Sequence, residues 1–162
     1  MPKYSTRSQQ KLLTVQQVLQ VIFNQVIKEY DCTIVFGRRT TSEQFLLYQR
    51  GRKLVGDAWI IEDKKKVVTY KDGHCKRSKH QPPDGEVLSL AADVIPYHKK
   101  YPHIRWKDTK SLYHFSGYVR GVADTLKAYG EIEHDVVWGG DWRDSFALDE
   151  NSFMDLVHFQ LK

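Results

Sequence analysis

Apolar residues at three- and four-residue steps set the first pattern in the chain. Leu12, Val15, Leu19, Ile22, Phe23, Val26 and Ile27 recur with Gln, Asn and Lys between them, which predicts an amphipathic helix over residues 12–30 with Thr14 as its N-cap. Cys32 to Phe36 is short and β-rich, so a strand is expected there, broken by Gly37. Ser42 reads as the N-cap of a second helix over residues 42–50, with Gly51 as its stop. Residues 59–61 and 67–70 predict two short strands around a charged hairpin turn at residues 62–66, and Asp72-Gly73 a further turn. Residues 81–87 read as a loop and residues 88–95 as an apolar strand. After an aromatic, basic loop at 97–106, a long helix is expected over residues 108–129. Leu112, Phe115, Val119, Val122, Ala123 and Leu126 form its buried stripe, and Gly130 ends it. Residues 136–138 predict a strand leading into Gly139-Gly140. A final apolar segment carries Phe153, Met154, Leu156, Val157, Phe159 and Leu161 and is expected to be buried as a strand.

Two of these apolar stretches carry charge. The strand L-S-L-A-A-D-V-I contains Asp93, which is costly to bury unless paired or metal-bound. The terminal segment contains Asp155 and His158, three residues apart. Alone, such a pair more often marks a hydrogen-bonded core histidine. A second polar cluster, Ser78-Lys79-His80, shifts the reading: His80, Asp93 and His158 are three candidate ligands for one zinc ion, with Asp155 as a carboxylate beside it. Two histidines and one carboxylate leave a fourth position for water, as a hydrolytic zinc requires. In a straight strand the odd spacing would put Asp155 and His158 on opposite faces, so a bend is needed between them. His98, His103, His114 and His134 read as solvated or capping residues.

Composition narrows the class. With 162 residues, 41% hydrophobic and 12% aromatic, the chain is globular and long enough to bury a core without disulfides. Cys32 reads as a small core residue; Cys75, five residues before His80, is a minor zinc candidate. There is no signal-peptide h-region and no long apolar run, so a product made in the cytosol, with no membrane partner, is expected. The net charge of +5 favours an anionic partner, but the Lys and Arg residues are scattered, with local clusters only at residues 64–66 and 76–79, and no nucleic-acid-binding motif accompanies them. The bacterial wall is an equally suitable anion.

Five motifs then occur in order: G-x-R-T (Gly37, Arg39, Thr40) with Glu43-Gln44 and Leu47-Tyr48-x-x-Gly51-Arg52; S-K-H at 78–80; A-A-D-V-I-P-Y at 91–97; W-G-G-D-W at 138–142; and D-L-V-H-F-Q-L at 155–161. Over residues 12–161 the chain resembles the zinc peptidases of the D-alanyl-D-alanine carboxypeptidase (VanY-like) and L-alanyl-D-glutamate endopeptidase group, bacteriophage endolysins in particular. The resemblance implies an α+β fold, hedgehog/DD-peptidase-like, in which helices flank a small antiparallel sheet carrying the zinc. It implies zinc ligands at His80, Asp93 and His158, a general base at Asp155, and a substrate-orienting or oxyanion-stabilising cation at Arg39. Ser78 and Gln44 match positions near the site. Trp138, Asp141 and Trp142 match the motif that shapes the cleft, completing the expected substrate-binding set. The pattern departs between the first two ligands: H-x-x-G-x-A-x-D has six intervening residues, here there are twelve, and Ser89 stands at the glycine position. Residues 81–88 are therefore expected to hold an insertion at the edge of the site.

The implied protein is a single catalytic domain over residues 1–162 without a separate wall-binding domain. It is expected to be a monomer that cuts the peptidoglycan stem peptide, first of all its L-alanyl-D-glutamate bond. It would reach the wall after release from the host cytoplasm. A D,D-carboxypeptidase fits the same motifs, and a non-catalytic zinc-containing binding module is the alternative outside the enzyme class.

Overall fold

The computed structural model describes residues 1–145 and 154–162, so Phe153 lies outside the described residues. In chain order the elements are α1 (Thr6–Leu12), α2 (Gln17–Val26), β1 (Cys32–Phe36), α3 (Thr41–Tyr48), β2 (Arg52–Val55), β3 (Ala58–Ile61), β4 (Ala91–Pro96), α4 (Thr109–Ala128), β5 (Val136–Trp138) and β6 (His158–Leu161). β1, β4, β6 and β5 lie side by side in that order as an antiparallel sheet, while β2 and β3 form a separate hairpin.

Alternation along the central strands sorts core from site. Ala92 and Val94 of β4, with Phe159 and Leu161 of β6, face α2 and α4 in the core. Phe159 meets Phe23 and Phe115 edge-to-face, with centroids 5.5 and 6.0 Å away. Burying the α2 stripe of Leu19, Ile22, Phe23 and Val26 contributes about 1.5–3 kcal/mol per side chain. The intervening residues, Asp93 on β4 and His158 and Gln160 on β6, face a cleft on the other side of the sheet.

Three local expectations change. The helix foreseen over residues 12–30 is shorter, running only from Gln17 to Val26, and a separate, unforeseen α1 ends at Leu12, because residues 14–16 bond elsewhere. Ser89 donates its N–H to the Thr14 carbonyl at 3.0 Å, and Gln16 donates to the Ser89 carbonyl at 2.9 Å. Thr14 is not an N-cap: its hydroxyl donates to the Lys11 carbonyl and accepts from the Arg38 N–H. Those bonds replace helical ones while Val15 stays fully buried, so the apolar spacing runs unbroken across the gap.

The second correction is to the hairpin. Residues 58–61 pair with 52–55, and not with 67–70. The two-residue loop Gly56-Asp57 closes it, with Gly56 at φ 60°, as a tight hairpin turn needs. Residues 64–66 instead make a single 3-10 turn capped by Asp63. Third, α3 is capped by Thr40 and not by Ser42. Thr40 and Glu43 exchange bonds as a capping box, which satisfies two free amides at once.

Candidate metal centre and cleft

Asp93 and His158 stand directly opposite each other on β4 and β6, so their side chains leave neighbouring backbones on the same face. His80 comes from the chain between the hairpin and β4. Its backbone is fixed on both sides: Arg39 donates to the His80 carbonyl at 2.8 Å, and Leu90 to the Lys79 carbonyl at 2.9 Å. Three side-chain atoms then converge. His80 Nε2 is 3.1 Å from Asp93 Oδ1 and 3.2 Å from His158 Nδ1, which is itself 3.1 Å from Asp93 Oδ1.

The outer contacts decide what those atoms present. The Gly37 carbonyl can only accept, so His80 Nδ1, 2.7 Å away, carries the proton and Nε2 offers its lone pair inward. Gln160 Oε1, 3.1 Å from His158 Nε2, fixes the second ring in the same sense. Two imidazole lone pairs and a carboxylate oxygen face one another, an arrangement that repels itself unless a cation stands among them. A tetrahedron with bonds of about 2.0–2.1 Å has edges of about 3.3 Å. The three donors therefore fit a zinc ion in type, number and spacing, and the group can hold a metal.

Charged neighbours also shift the titration of Asp93, His158 and Asp155. Burial would raise the Asp93 carboxyl, but His80 and His158 outweigh it and hold the group well below the usual carboxylate range. Burial would likewise lower His158, yet the hydrogen bond and charge of Asp93 lift it above the ordinary histidine value. Asp155 goes the other way: burial, then repulsion from Asp93, raises its carboxyl.

Asp155 and His158 share the cleft because β6 begins only at His158. The His158 N–H donates to the Asp155 carbonyl at 3.1 Å, closing a turn that supplies the needed bend. Gly139 clamps this turn, accepting from the Asp155 N–H at 2.9 Å and donating to the His158 carbonyl at 2.8 Å. A Cβ on Gly139 would lie 2.2 Å from the Asp155 carbonyl oxygen, so the close approach requires glycine.

Arg39 is held from three sides. Its Nη1 donates to Gln44 Oε1 at 2.9 Å, its Nη2 lies 3.7 Å from Asp93 Oδ2, and its guanidinium sits over the Phe36 ring. Arg39, Ser78, His80, Asp93, Trp142, Asp155 and His158 all line one cleft of about 490 Å³. A second hollow of about 600 Å³, lined by Gln25 of α2 and by Gly117, Tyr118 and Gly121 of α4 among others, contains no histidine or cysteine and shares no lining residue with this cleft.

Three residues expected to touch substrate stand behind the cleft. Gln44 is 0% exposed, and its amide is committed to Arg39 and to the Lys71 carbonyl. Trp138 donates its indole N–H to the Leu156 carbonyl at 2.9 Å, bracing the turn that carries Asp155. Asp141 is 1% exposed and accepts from Arg120 and Ser145, tying the W-G-G-D-W segment to α4. Burial places these three as supports. Trp142 lies beside the His158 ring, with centroids 5.2 Å apart.

Residues 81–88 do not line the cleft. Gln81 bonds the Gly73 carbonyl and the Thr41 hydroxyl, and Arg77 pairs with Asp84, which fixes the loop outside the cleft lining. Gln160 is a participant the sequence reading missed. Its position two residues after His158 on one strand was the available signal.

No protein-family model matches the chain, and no curated protein does. Among solved structures, that of Serratia marcescens L-Ala D-Glu endopeptidase ChiX aligns with a TM-score of 0.60 at 18% identity, over 99% of this chain and 90% of that one. The two share a fold. The mixed helical and antiparallel-sheet architecture expected from the sequence is the one found.

Proposed function

We propose that this protein is a zinc-dependent peptidoglycan hydrolase that cleaves the stem peptide, with the L-alanyl-D-glutamate bond as its target. The convergence of His80, Asp93 and His158 beside Asp155 and Arg39 in one open cleft carries the reading. The fold shared with the Serratia marcescens L-Ala D-Glu endopeptidase supports it.

His80, Asp93 and His158 would hold the zinc. When bound there, zinc supplies a Lewis acid and brings the pKa of its water down to about 7. Asp155, half-buried at the cleft wall and fixed by Gly139, accepts the proton of the attacking water and returns it to the leaving amine. Arg39, oriented by Gln44 and Asp93, presents its planar fork to the oxyanion or to a substrate carboxylate. Ser78 and Trp142 contact the peptide from the cleft walls, while Gln44 holds Arg39, Trp138 braces the Asp155 turn and Asp141 ties the W-G-G-D-W segment to α4. In this reading residues 1–162 form one catalytic, monomeric, VanY-like domain of bacteriophage endolysin type, acting on the wall during host lysis. No helix among the described residues is long and apolar enough to cross a membrane.

The test is digestion of purified peptidoglycan with and without a chelator, with products identified by mass spectrometry. Fragments with a new D-glutamate amino terminus, abolished by chelation and restored by zinc, are expected. Release of D-alanine alone would replace the endopeptidase with a carboxypeptidase. A zinc-loaded protein giving no product would leave a binding module.

A further inference from the structure

The chain's positive charge is concentrated in one segment. Residues 50–79 contain ten Lys and Arg against four Asp and Glu, a net +6, whereas the whole chain carries +5. The remainder is therefore slightly negative. That basic segment builds a wall of the cleft through Arg50, residues 68–71, Ser78 and Lys79, while the sheet supplies Asp93, His158 and Gln160.

Three of its cations, Arg50, Lys71 and Lys79, line the cleft, and none has an ion-pair partner among the described residues. Of the segment's other cations, Lys53 pairs with Glu62, Lys66 with Asp63 and Arg77 with Asp84, and Arg52, Lys64, Lys65 and Lys76 lie outside the cleft lining. The acidic groups on the cleft lining are Asp93, engaged by Arg39 and two histidines, and Asp155. Arg50 and Lys71 are exposed and Lys79 half-buried, so their heads are available to a ligand. Three unneutralised cations along a partly desolvated groove select negative charge and disfavour its neutral isostere.

We propose that Arg50, Lys71 and Lys79 form a carboxylate-reading wall. The wall selects an acidic peptide bearing a free carboxylate beyond the bond to be cut, and rejects the amidated peptide. The proposal rests on the peptidase reading for the identity of the peptide. In a stem peptide, D-glutamate joined through its γ-carboxyl leaves the α-carboxylate free, and amidation removes that charge without changing the shape.

The test is calorimetric titration of zinc-loaded Asp155→Ala protein, in which turnover is blocked, with L-Ala-γ-D-Glu-L-Lys-D-Ala and with its α-amide. The free acid is expected to bind at least about tenfold more tightly at low salt, with the ratio shrinking as salt is raised. Combining Arg50→Gln, Lys71→Gln and Lys79→Gln should bring the ratio to within about twofold. Combining Lys64→Gln, Lys65→Gln and Lys66→Gln removes the same formal charge from a turn outside the cleft, and should leave the preference in place. Equal binding of acid and amide overturns the proposal, as does loss of the preference in both triple variants or no binding of either peptide. Should the cleft triple fail to fold by circular dichroism, the acid-to-amide ratio and its salt dependence still decide. An intact preference in a wild-type protein that hydrolyses neither peptide would sink the peptidase reading and leave this one standing.

Discussion

Gly139→Ala isolates the positioning of Asp155 from everything else in the site. The added Cβ would sit 2.2 Å from the Asp155 carbonyl oxygen and 3.1 Å from Asp155 Cβ, whereas real Cβ atoms essentially never come within 3.0 Å of another heavy atom. The obstruction is backbone, so no rotamer relieves it, and the Asp155 turn must retreat by about 0.8 Å. The Asp155 N–H bond to the Gly139 carbonyl, 2.9 Å long, stretches with it. His158 shifts less, because β6 holds it in register with Asp93 on β4.

Overpacking of this kind costs about 1–3 kcal/mol of stability. A catalytic group displaced by nearly 1 Å loses about 10²-fold in rate. The expected result is a folded, zinc-containing variant with a Tm lowered by several degrees and kcat for stem-peptide hydrolysis reduced about 100-fold. Metal content by mass spectrometry, thermal unfolding and single-turnover rates measure the three quantities on one preparation. Wild-type stability together with wild-type activity would refute the close approach itself. Activity falling only in proportion to zinc content would show that the effect ran through the ligands and not through Asp155.

Three further outcomes are expected. Asp155→Ala should retain a full equivalent of zinc while losing at least about 10²-fold in kcat, because it removes the base and no ligand; loss of metal would instead place it in the ligand set. His80→Ala and Asp93→Ala should each lose zinc, and chelation of the wild type should lower its Tm, since metal binding stabilises the folded state; a Tm indifferent to chelator would contradict this. Burial pushes the Cys32 thiol up to about 12, so at pH 8 it stays protonated and shielded in the folded chain, whereas Cys75 is exposed. A thiol reagent should therefore label Cys75 alone in native protein and both cysteines after denaturation; rapid native labelling of Cys32 would show that β1 does not pack as described.

The elements that sequence periodicity captured are those whose burial is continuous along one face. The α4 stripe from Leu112 to Leu126 and the β5 run Val136–Trp138 were legible because each side chain's fate follows from its own spacing. The break between α1 and α2 was not, since it depends on Ser89, more than seventy positions away, taking over the backbone bonds at Thr14 and Gln16. The hairpin was misread for a related reason. Val67 and Val68 have strand-like side chains but no partner strand, whereas Lys53, exposed and charged, belongs to one. At the site, the motifs named side chains that the fold brings together, and the division between cleft-lining and buried residues was not readable from them. Gln44 and Asp141 look like surface-seeking polar residues in a one-dimensional string. Only the packing shows them buried behind Arg39 and the W-G-G-D-W turn.

That division follows from how the sheet is used. One residue step along β6 separates Phe159, completely buried against Phe23 and Phe115, from His158, which faces the cleft. The hydrophobic face thus fixes the height and register of the strands, and the register fixes the Asp93–His158 pair to the length of a cross-strand contact. The third donor needs no such precision from the sheet, because the backbone bonds at Lys79 and His80 and the Gly37 carbonyl set it independently. An ion held by two rigidly paired strand residues and one separately anchored loop residue would, in the proposed reading, join parts of the chain that lie far apart in sequence. The basic segment 50–79 lies between Arg39 and His80 in sequence, so the same closure that brings His80 to the sheet brings the cationic wall against the cleft. In the reading proposed above, charge recognition and metal binding would both follow from one loop closure, and a change that loosens His80 should weaken both together.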